Sequence, residues 1–189
     1  MNLKDVSLSD LAASICDRCR KNGIEVVLSG GACVSIYTQN RYISYDLDFV
    51  LVSSVGRKRI KSAMKTLGFN EDGRHFRHPD TPFLVEFLSP PLSVGEEPVR
   101  EIREIQRGKM ILRLLSPTDC VKDRLAAFYH WNDRQSLDQA ILVCRDAEVD
   151  LHEVKRWSIS EDMKNRFGVF EKAMSGEKAK VSKLRGIKK

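Results

Sequence analysis

The segment Tyr45–Val52 alternates polar and apolar residues in its first half and is wholly apolar in its second half. This pattern is typical of a β-strand that is open at one end and buried at the other. Residues two apart in a strand point to the same side, with Cα atoms about 7 Å apart, so Asp46 and Asp48 aim two carboxylates at one region of space. The sequence therefore predicts a buried strand with a pair of acids at its open end.

Around this strand, helical and β-prone patterns alternate over residues 1–115. Helices are predicted at 7–21, 32–37 and 57–67, and strands at 24–28, 45–52, 74–77, 83–88, 102–106 and 110–114. The segment Ser89–Pro98 carries three prolines and a glycine and is predicted to be a loop. Residues 1–115 therefore read as an α/β-type module, a mixed β-sheet flanked by helices.

The pattern becomes entirely helical after residue 115. Ser116, Pro117 and Asp119 supply an N-cap, a proline at the first helical position and an acid in the first turn. Helices are predicted at about 117–131, 134–148, 151–158 and 161–174, which form a helical domain over 116–175. The overall fold class is thus α+β with a C-terminal helical bundle.

A basic tail, residues 176–189, is predicted to be flexible. It carries six cations and one anion, so most of the chain's net charge of +6 lies there. Such a tail either binds phosphate backbones, because neutralising them releases counterions, or is a solvated terminus.

Composition excludes several classes of protein. With 42% hydrophobic and 31% charged residues in a chain of 189, a disordered chain is excluded and a core can form. Apolar stretches are far shorter than the roughly 20 residues of a membrane span. Five cysteines without an export signal indicate reduced thiols and a cytoplasmic location. Cys16 and Cys19 form a lone CxxC in a helical pattern, which favours packing over a zinc or redox site.

The turn Leu28-Ser29-Gly30-Gly31 joins a predicted strand to a predicted helix. Glycines leave out the Cβ atoms, so backbone N–H groups and the helix N-terminus can approach an anion closely. The lysine of a Walker loop and the third glycine of a dinucleotide fingerprint are both missing. The turn therefore predicts a phosphate site of another kind.

Two acids at the mouth of an apolar strand repel each other, and a positive charge has to offset that repulsion. Magnesium is the oxygen-seeking ion that usually does so beside a nucleotide. Glu86 interrupts the apolar run Phe83–Leu88, where a lone acid is costly unless it is paired, metal-bound or exposed. Either Glu86 joins Asp46 and Asp48 in a three-carboxylate metal cluster, or it faces solvent from an edge strand.

A GG turn, a D-x-D strand and an acid on a later strand together resemble the polymerase-β-type nucleotidyltransferase superfamily. The segment Arg41–Phe49 is most similar to small prokaryotic members that include the AbiEii-type toxins of toxin–antitoxin systems, and the resemblance covers residues 24–145. It implies an enzyme that moves a nucleoside monophosphate from an NTP to a hydroxyl. The implied acceptors are RNA such as tRNA, or protein, and an antitoxin is an implied partner.

The resemblance also implies roles for individual residues. Asp46, Asp48 and Glu86 would bind Mg²⁺ or Mn²⁺, and Glu86 would also help to deprotonate the acceptor. The phosphate-binding residues would be Ser29, Gly30, Gly31 and Lys122. Lys122 occupies the place of a family lysine near the start of the helical module, although a charged surface face on a helix explains it equally well.

Two other readings stay open. The chain could be a catalytically inactive module that keeps the fold and binds a partner, or a sugar-nucleotide transferase, which also uses D-x-D. The GG turn and the short chain argue against the second. His75 and His78 either line the substrate groove or belong to a solvated turn.

Overall fold

The computed structural model describes the backbone of residues 3–186 and the side chains of residues 3–176. Its helices are α1 (Leu8–Lys21), α2 (Gly30–Tyr37), α3 (Arg57–Lys65), α4 (Pro117–Trp131), α5 (Arg134–Asp146), α6 (Leu151–Ser160) and α7 (Lys164–Gly186). Its strands are β1 (Val26–Ser29), β2 (Asp46–Leu51), β3 (Asn70–Asp72), β4 (His75–Arg77), β5 (Leu84–Leu88), β6 (Ser93–Val94), β7 (Glu97–Pro98), β8 (Ile102–Arg107) and β9 (Met110–Leu115).

Seven of these strands form one sheet in the order β3-β4-β5-β2-β1-β9-β8, and β6 and β7 form a separate hairpin. The pairs β2–β5 and β1–β9 are parallel, and the other pairs in the sheet are antiparallel. A mixed sheet flanked by helices and followed by a helical region is the predicted fold class, which the structure confirms.

Local signals fix the helix starts. The Ser7 hydroxyl accepts a hydrogen bond from the Asp10 backbone N–H at 3.2 Å, and the Ser116 hydroxyl accepts one from the Asp119 N–H at 3.1 Å. Such caps satisfy N–H groups that have no partner within the helix. Helices α1 and α4 consequently begin within one residue of the predicted positions.

The two faces of the central strands differ. Leu47 and Phe49 of β2 are fully buried, as is Val85 of β5, whereas the acids Asp46 and Asp48 lie on the opposite face of β2. Phe49 stacks on Phe87 across the parallel pair, with ring centroids 5.8 Å apart. One face of the sheet therefore packs in the core, and the opposite face presents the two acids of β2.

Some elements differ from the prediction. Strand β3 was not expected, because the polar run Asn70–Asp72 has no apolar alternation; it forms by pairing with β4 at the edge of the sheet. Within the expected loop Ser89–Pro98, a short hairpin β6–β7 forms, and Trp157 of α6 holds it by donating to the Val94 carbonyl at 3.2 Å. Helix α7 runs well past the expected end. The side chains of residues 177–189, which hold all the charges of the predicted basic tail, fall outside the described residues.

The core is continuous from the sheet into the helices, and it includes both Phe49 of β2 and Trp157 of α6. The division into domains at residue 115 stays a prediction. Cys16 and Cys19 are buried, and burial raises the pKa of their thiols to about 11 and about 12 respectively, which agrees with packing. No helix in the described part of the chain is long and apolar enough to span a membrane.

Candidate active site

The three predicted acids meet at one cleft. The parallel register of β2 and β5 sets Asp48 opposite Glu86 and Asp46 opposite Leu84. Asp46, Asp48 and Glu86 line a cleft of about 230 Å³ together with Arg74, His75 and Leu84. Strand β5 lies inside the sheet, between β4 and β2, so the alternative of a solvent-facing Glu86 on an edge strand is wrong.

Glu86 has two basic neighbours within this cleft. Its Oε2 atom lies 3.5 Å from Nε of Arg74 and 3.4 Å from Nε2 of His75, and its side chain is only 17% exposed. Within the described residues, no group of three His, Cys, Asp or Glu side chains is arranged to hold a metal ion unaided. The predicted metal site at Asp46, Asp48 and Glu86 therefore stays a prediction.

The surroundings of Asp48 disfavour the charged form of its carboxyl group. Burial, together with the neighbouring carboxylates of Asp46 and Glu86, raises the pKa of its carboxyl from 3.8 to about 6, and the Arg124 guanidinium opposes this shift. At neutral pH the group is therefore ionised at a cost in free energy. A divalent cation, or a hydrogen-bond donor on a ligand, would remove that cost.

The glycine turn lies directly against Asp48. Gly30 has φ +67 and is the first residue of α2, and a Cβ atom built there would lie 2.6 Å from Oδ2 of Asp48. The Ser29 hydroxyl donates to the Asp48 carbonyl oxygen at 3.2 Å. A Cβ on Gly31 would lie 3.1 Å from Oγ of Ser44. The N-terminus of α2 is thus held beside the acids with no side chain between them.

Replacing Gly30 with alanine is expected to destabilise the protein by more than the 1–2 kcal/mol that a positive φ usually costs, because the new methyl group also displaces Asp48. Gly108→Ala is the matched control, since Gly108 has φ +59 and open space around it. Chemical denaturation measures both variants. An equal loss of stability in the two would mean that Asp48 yields freely and that the turn is not tightly packed against it.

Hydroxyl groups fix the approach to β2. The Ser44 backbone N–H donates to Oγ of Ser35 at 2.8 Å, and the Ser44 hydroxyl donates to the Asp46 carbonyl at 3.0 Å. The Ser35 hydroxyl in turn donates to the Gly31 carbonyl at 3.2 Å. These bonds tie α2 to the first residue of β2, so the glycine turn and the D-x-D strand are positioned as one unit.

Lys122 lies elsewhere. Its side chain is 8% exposed, and its ammonium donates to Oε1 of Glu153 at 2.7 Å and lies 3.4 Å from Oδ1 of Asp119. It lines a second cleft of about 550 Å³, together with Glu97 and Arg156, and not the acid cleft. The structure thus does not bring Lys122 together with the three acids, and its predicted contact with phosphates stays untested.

The charge of Arg124 on α4 lowers the pKa of Asp48, whereas its sequence pattern predicted only a charged surface face and no role at the site. Its guanidinium donates to Oδ2 of Asp123, from Nε at 2.9 Å and from Nη2 at 2.5 Å, and its side chain is 17% exposed. Burial alone would lower the pKa of Arg124, but the Asp123 carboxylate raises it above its ordinary value. The group therefore stays charged.

The helical repeat explains why these two cations differ. Residues two apart on a helix point to different sides, whereas residues four apart share one side. Arg124 follows Cys120 by four residues, and the Cys120 thiol lies against Cys33 of α2. Arg124 therefore shares the side of α4 that packs on α2, whereas Lys122 points to the second cleft.

The two histidines His75 and His78 lie in different surroundings. His75 lines the acid cleft, and Arg74 beside it does the same. His78 packs on Phe69, with ring centroids 5.3 Å apart, and its Nδ1 accepts from the Asp80 N–H at 3.0 Å. His75 therefore lies where a groove-lining role is possible, and that role stays a prediction, whereas His78 packs half-buried beside the turn.

No protein-family model matches this sequence, and comparison with curated proteins finds no match. Solved structures are similar in fold. One is an antigenic nucleotidyltransferase-like protein from Paracoccidioides brasiliensis, with a TM-score of 0.59 and 12% identity, covering 92% of this chain and 94% of that one.

Two further similar structures are of the antibiotic-resistance factor ANT(2'')-Ia. The crystal structure of its complex with adenylyl-2''-tobramycin has a TM-score of 0.54 and 12% identity, and covers 86% of this chain and 99% of that one. The solution structure has a TM-score of 0.50 and 13% identity, with coverage of 90% and 96%. The narrower resemblance to AbiEii-type proteins stays a prediction. This chain has the nucleotidyltransferase fold, as the turn, the D-x-D strand and the later acid implied.

Proposed function

We propose that this chain is a metal-dependent nucleotidyltransferase, which moves a nucleoside monophosphate from an NTP to a hydroxyl acceptor. The observation that carries the proposal is the convergence of Asp46, Asp48 and Glu86 on one cleft beside the N-terminus of α2. Carboxylates that repel one another next to a helix N-terminus suit a ligand that brings both a cation and phosphates.

Magnesium, or manganese, fits the donors that are present. Mg²⁺ is usually held by one or two carboxylates plus substrate phosphates, and not by a complete cage of protein ligands. Asp46 and Asp48 would supply the carboxylates, so the lack of a three-ligand group among the described residues agrees with this binding mode. When bound, the ion neutralises charge on the triphosphate and polarises its phosphoryl oxygens.

The phosphates would be held by the chain itself. The backbone N–H groups of Gly30 and Gly31 begin α2, and the positive end of the helix favours an anion there. The Ser29 hydroxyl is the neighbouring donor. Arg124 would neutralise charge that develops on the phosphates during transfer, the role that the resemblance gives to Lys122. To take that role, Lys122 would have to leave Glu153.

Glu86 would accept the proton of the acceptor hydroxyl. The acceptor oxygen then bonds to the α-phosphorus, the bond between that phosphorus and the bridging oxygen breaks, and pyrophosphate leaves with the electron pair. Arg74 and His75, at 3.5 Å and 3.4 Å, hold the Glu86 carboxylate in place. A carboxylate fixed at hydrogen-bonding reach of the acceptor is what general-base catalysis requires.

For the acceptor, we propose only a chemical class. The resemblance points to RNA such as tRNA, or to protein, and to a toxin that an antitoxin protein would neutralise. ANT(2'')-Ia, whose structure holds adenylyl-2''-tobramycin, adds a small hydroxylated molecule as a third class of acceptor. Among these classes we favour a nucleic-acid strand, because the exposed lysines of α3 suit a phosphate backbone.

The test is transfer of label from each of the four α-labelled NTPs, with Mg²⁺ or Mn²⁺, to total RNA and to total protein. We expect one NTP to label one acceptor pool. Asp46→Asn should abolish labelling, because it removes one of the two metal-binding carboxylates. Asp5→Asn, which changes an exposed acid far along the chain from the cleft, should leave labelling unchanged.

The second candidate is an inactive module that binds nucleotide or a protein partner. The pairing of Glu86 with Arg74 and His75 favours it, because a paired carboxylate is a weaker base. Absence of label with every acceptor, together with a magnesium-dependent thermal shift in NTP, would support this candidate over the enzyme.

A further inference from the structure

Helix α3 concentrates positive charge. Five of its nine residues are cations and none is an acid, and all five cationic side chains are exposed: Arg57, Lys58, Arg59, Lys61 and Lys65. Its apolar residues, Ile60, Ala63 and Met64, are buried against the core. We call the surface formed by Lys58, Lys61 and Lys65 the α3 basic face.

The two arginines attach α3 to its neighbours. Arg57 donates to Oε1 of Glu71 at 2.7 Å, and its guanidinium lies 4.7 Å from the centre of the Phe76 ring. Arg59 donates to the Asn22 carbonyl at 2.8 Å. Both arginines therefore bind neighbouring segments of the protein, and the three lysines are the cations of α3 that face outward.

The lysines are largely uncompensated. Lys61 lies 3.0 Å from Oε2 of Glu71, which already binds Arg57. Lys58 and Lys65 form no ion pair in the described part of the chain. Placing like charges at i, i+3 and i+7 on one helix costs a few tenths of a kcal/mol per pair, so an anionic ligand would relieve repulsion that the folded protein carries.

The α3 basic face connects to the acid cleft. Nη2 of Arg57 donates to the carbonyl oxygens of Gly73 and Arg74, at 3.4 Å and 3.1 Å, in the turn between β3 and β4. The side chain of Arg74 then reaches Glu86 and lines the cleft. Cations therefore continue from α3, through one turn, to the proposed reacting groups.

We propose that the α3 basic face binds the phosphodiester backbone of a nucleic-acid strand whose hydroxyl is the acceptor at Glu86. Lys58 and Lys65 are about 10 Å apart along the helix axis, which matches about three phosphates of a stacked strand at 3.4 Å each. The described side chains of α3 include no aromatic residue, so it would contact phosphates and not read bases. The binding part stands alone, and the acceptor part rests on the proposed function.

An anionic membrane is the weaker match. Interfacial helices bury an apolar face among lipids, whereas the apolar residues of α3 already pack on this protein's own core. Spaced lysines without exposed apolar neighbours fit a regular row of phosphates better. The choice between RNA and DNA is left to the experiment, because both present the same backbone.

The test is the triple variant Lys58→Gln, Lys61→Gln, Lys65→Gln in the full chain, without NTP or metal. Fluorescence anisotropy measures binding of a short oligonucleotide of mixed sequence, as RNA and as DNA, over a range of salt concentrations. We expect affinity to fall about 10- to 100-fold near 0.1 M salt, and the slope of log K against log salt to flatten by about 2, because each phosphate contact contributes about 0.7. Tighter binding of RNA than of DNA would show that the α3 basic face prefers RNA.

The matched control removes three other exposed lysines: Lys109→Gln, Lys164→Gln, Lys172→Gln. It should bind as the unmodified chain does. Equal losses in both triple variants, no loss in either, or tighter binding to anionic vesicles than to the oligonucleotide would overturn the inference. Transfer activity is measured separately. If the unmodified chain transfers label but the α3 variant binds the oligonucleotide as well as the unmodified chain does, this inference is wrong and the proposed function is not affected. If binding depends on α3 but no label is transferred, the proposed function is wrong and the binding inference is not affected.

Discussion

Asparagine in place of Asp48 is expected to reduce nucleotide transfer about 1000-fold and, at the same time, to stabilise the unliganded protein at neutral pH. The loss of activity follows because a charged ligand of the metal is replaced by a neutral amide. The gain in stability follows because the carboxylate that is removed is ionised at a cost. If Asp48 only maintained the fold, its replacement would not lower activity and raise stability at the same time.

The pH dependence gives the sign of the stability effect. The Asp48 carboxyl has its pKa raised from 3.8 to about 6 by burial and by the neighbouring carboxylates of Asp46 and Glu86. Between these two values the folded protein binds more protons than the unfolded chain, so stability falls as pH rises through that window. A shift of about two units corresponds to about 3 kcal/mol, and Asp48→Asn should lack this loss.

Denaturant unfolding from about pH 4 to about pH 7 measures this difference for the unmodified chain, Asp48→Asn and Asp5→Asn. The Asp5 variant should keep the fall in stability. Added Mg²⁺ should stabilise the unmodified chain at neutral pH and leave Asp48→Asn unchanged, because a cation that binds only the folded state adds to its stability. If the free energy of unfolding changed with pH in the same way in all three proteins, the Asp48 carboxyl would not have the raised pKa that this prediction requires.

Features set by short stretches of sequence could be predicted. The Ser7 and Ser116 caps lie next to the helices that they start, so α1 and α4 were found within one residue. The period of two in β2 decided that Asp46 and Asp48 share a face. Both signals are complete within a few residues, and no distant partner can reverse them.

Features set by pairing between distant segments could not be predicted. Whether Glu86 faced solvent or a metal site depended on the neighbours of β5, and β4 and β2 come from different parts of the chain. Strand β3 and the hairpin β6–β7 depend in the same way on β4 and on Trp157. For β3 and the hairpin the local sequence is polar or rich in proline, and tertiary contacts override it.

The choice between Lys122 and Arg124 shows the same limit at the site. The resemblance aligned a lysine by its position in the motif, and a displacement of two residues on a helix changes the side to which a cation points. The contact between Cys120 of α4 and Cys33 of α2 decides which side faces the cleft. That contact joins residues 87 positions apart, so no window along the sequence contains it.

Methionine in place of Arg124 is expected to destabilise the protein by about 3 kcal/mol and to weaken NTP use about 100-fold. Removing one partner of a buried ion pair leaves Asp123 uncompensated, and this accounts for the loss of stability. The loss of NTP use follows because the cation that opposes the raised pKa of Asp48 would no longer be available to the phosphates. Denaturant unfolding and steady-state kinetics in NTP measure the two effects, and stability is checked at the assay temperature.

Lys122→Met supplies the comparison, because it also removes a buried cation from paired acids, Asp119 and Glu153. It should lower stability, by less than the Arg124 variant because the Glu153 side chain is 33% exposed, and it should leave KM for NTP unchanged. If Lys122→Met raised KM and Arg124→Met did not, the phosphates would lie in the second cleft, beyond the reach of Asp48. A purely structural role for both cations predicts two less stable proteins with unaltered KM, so the split between stability and KM decides which cation faces the substrate.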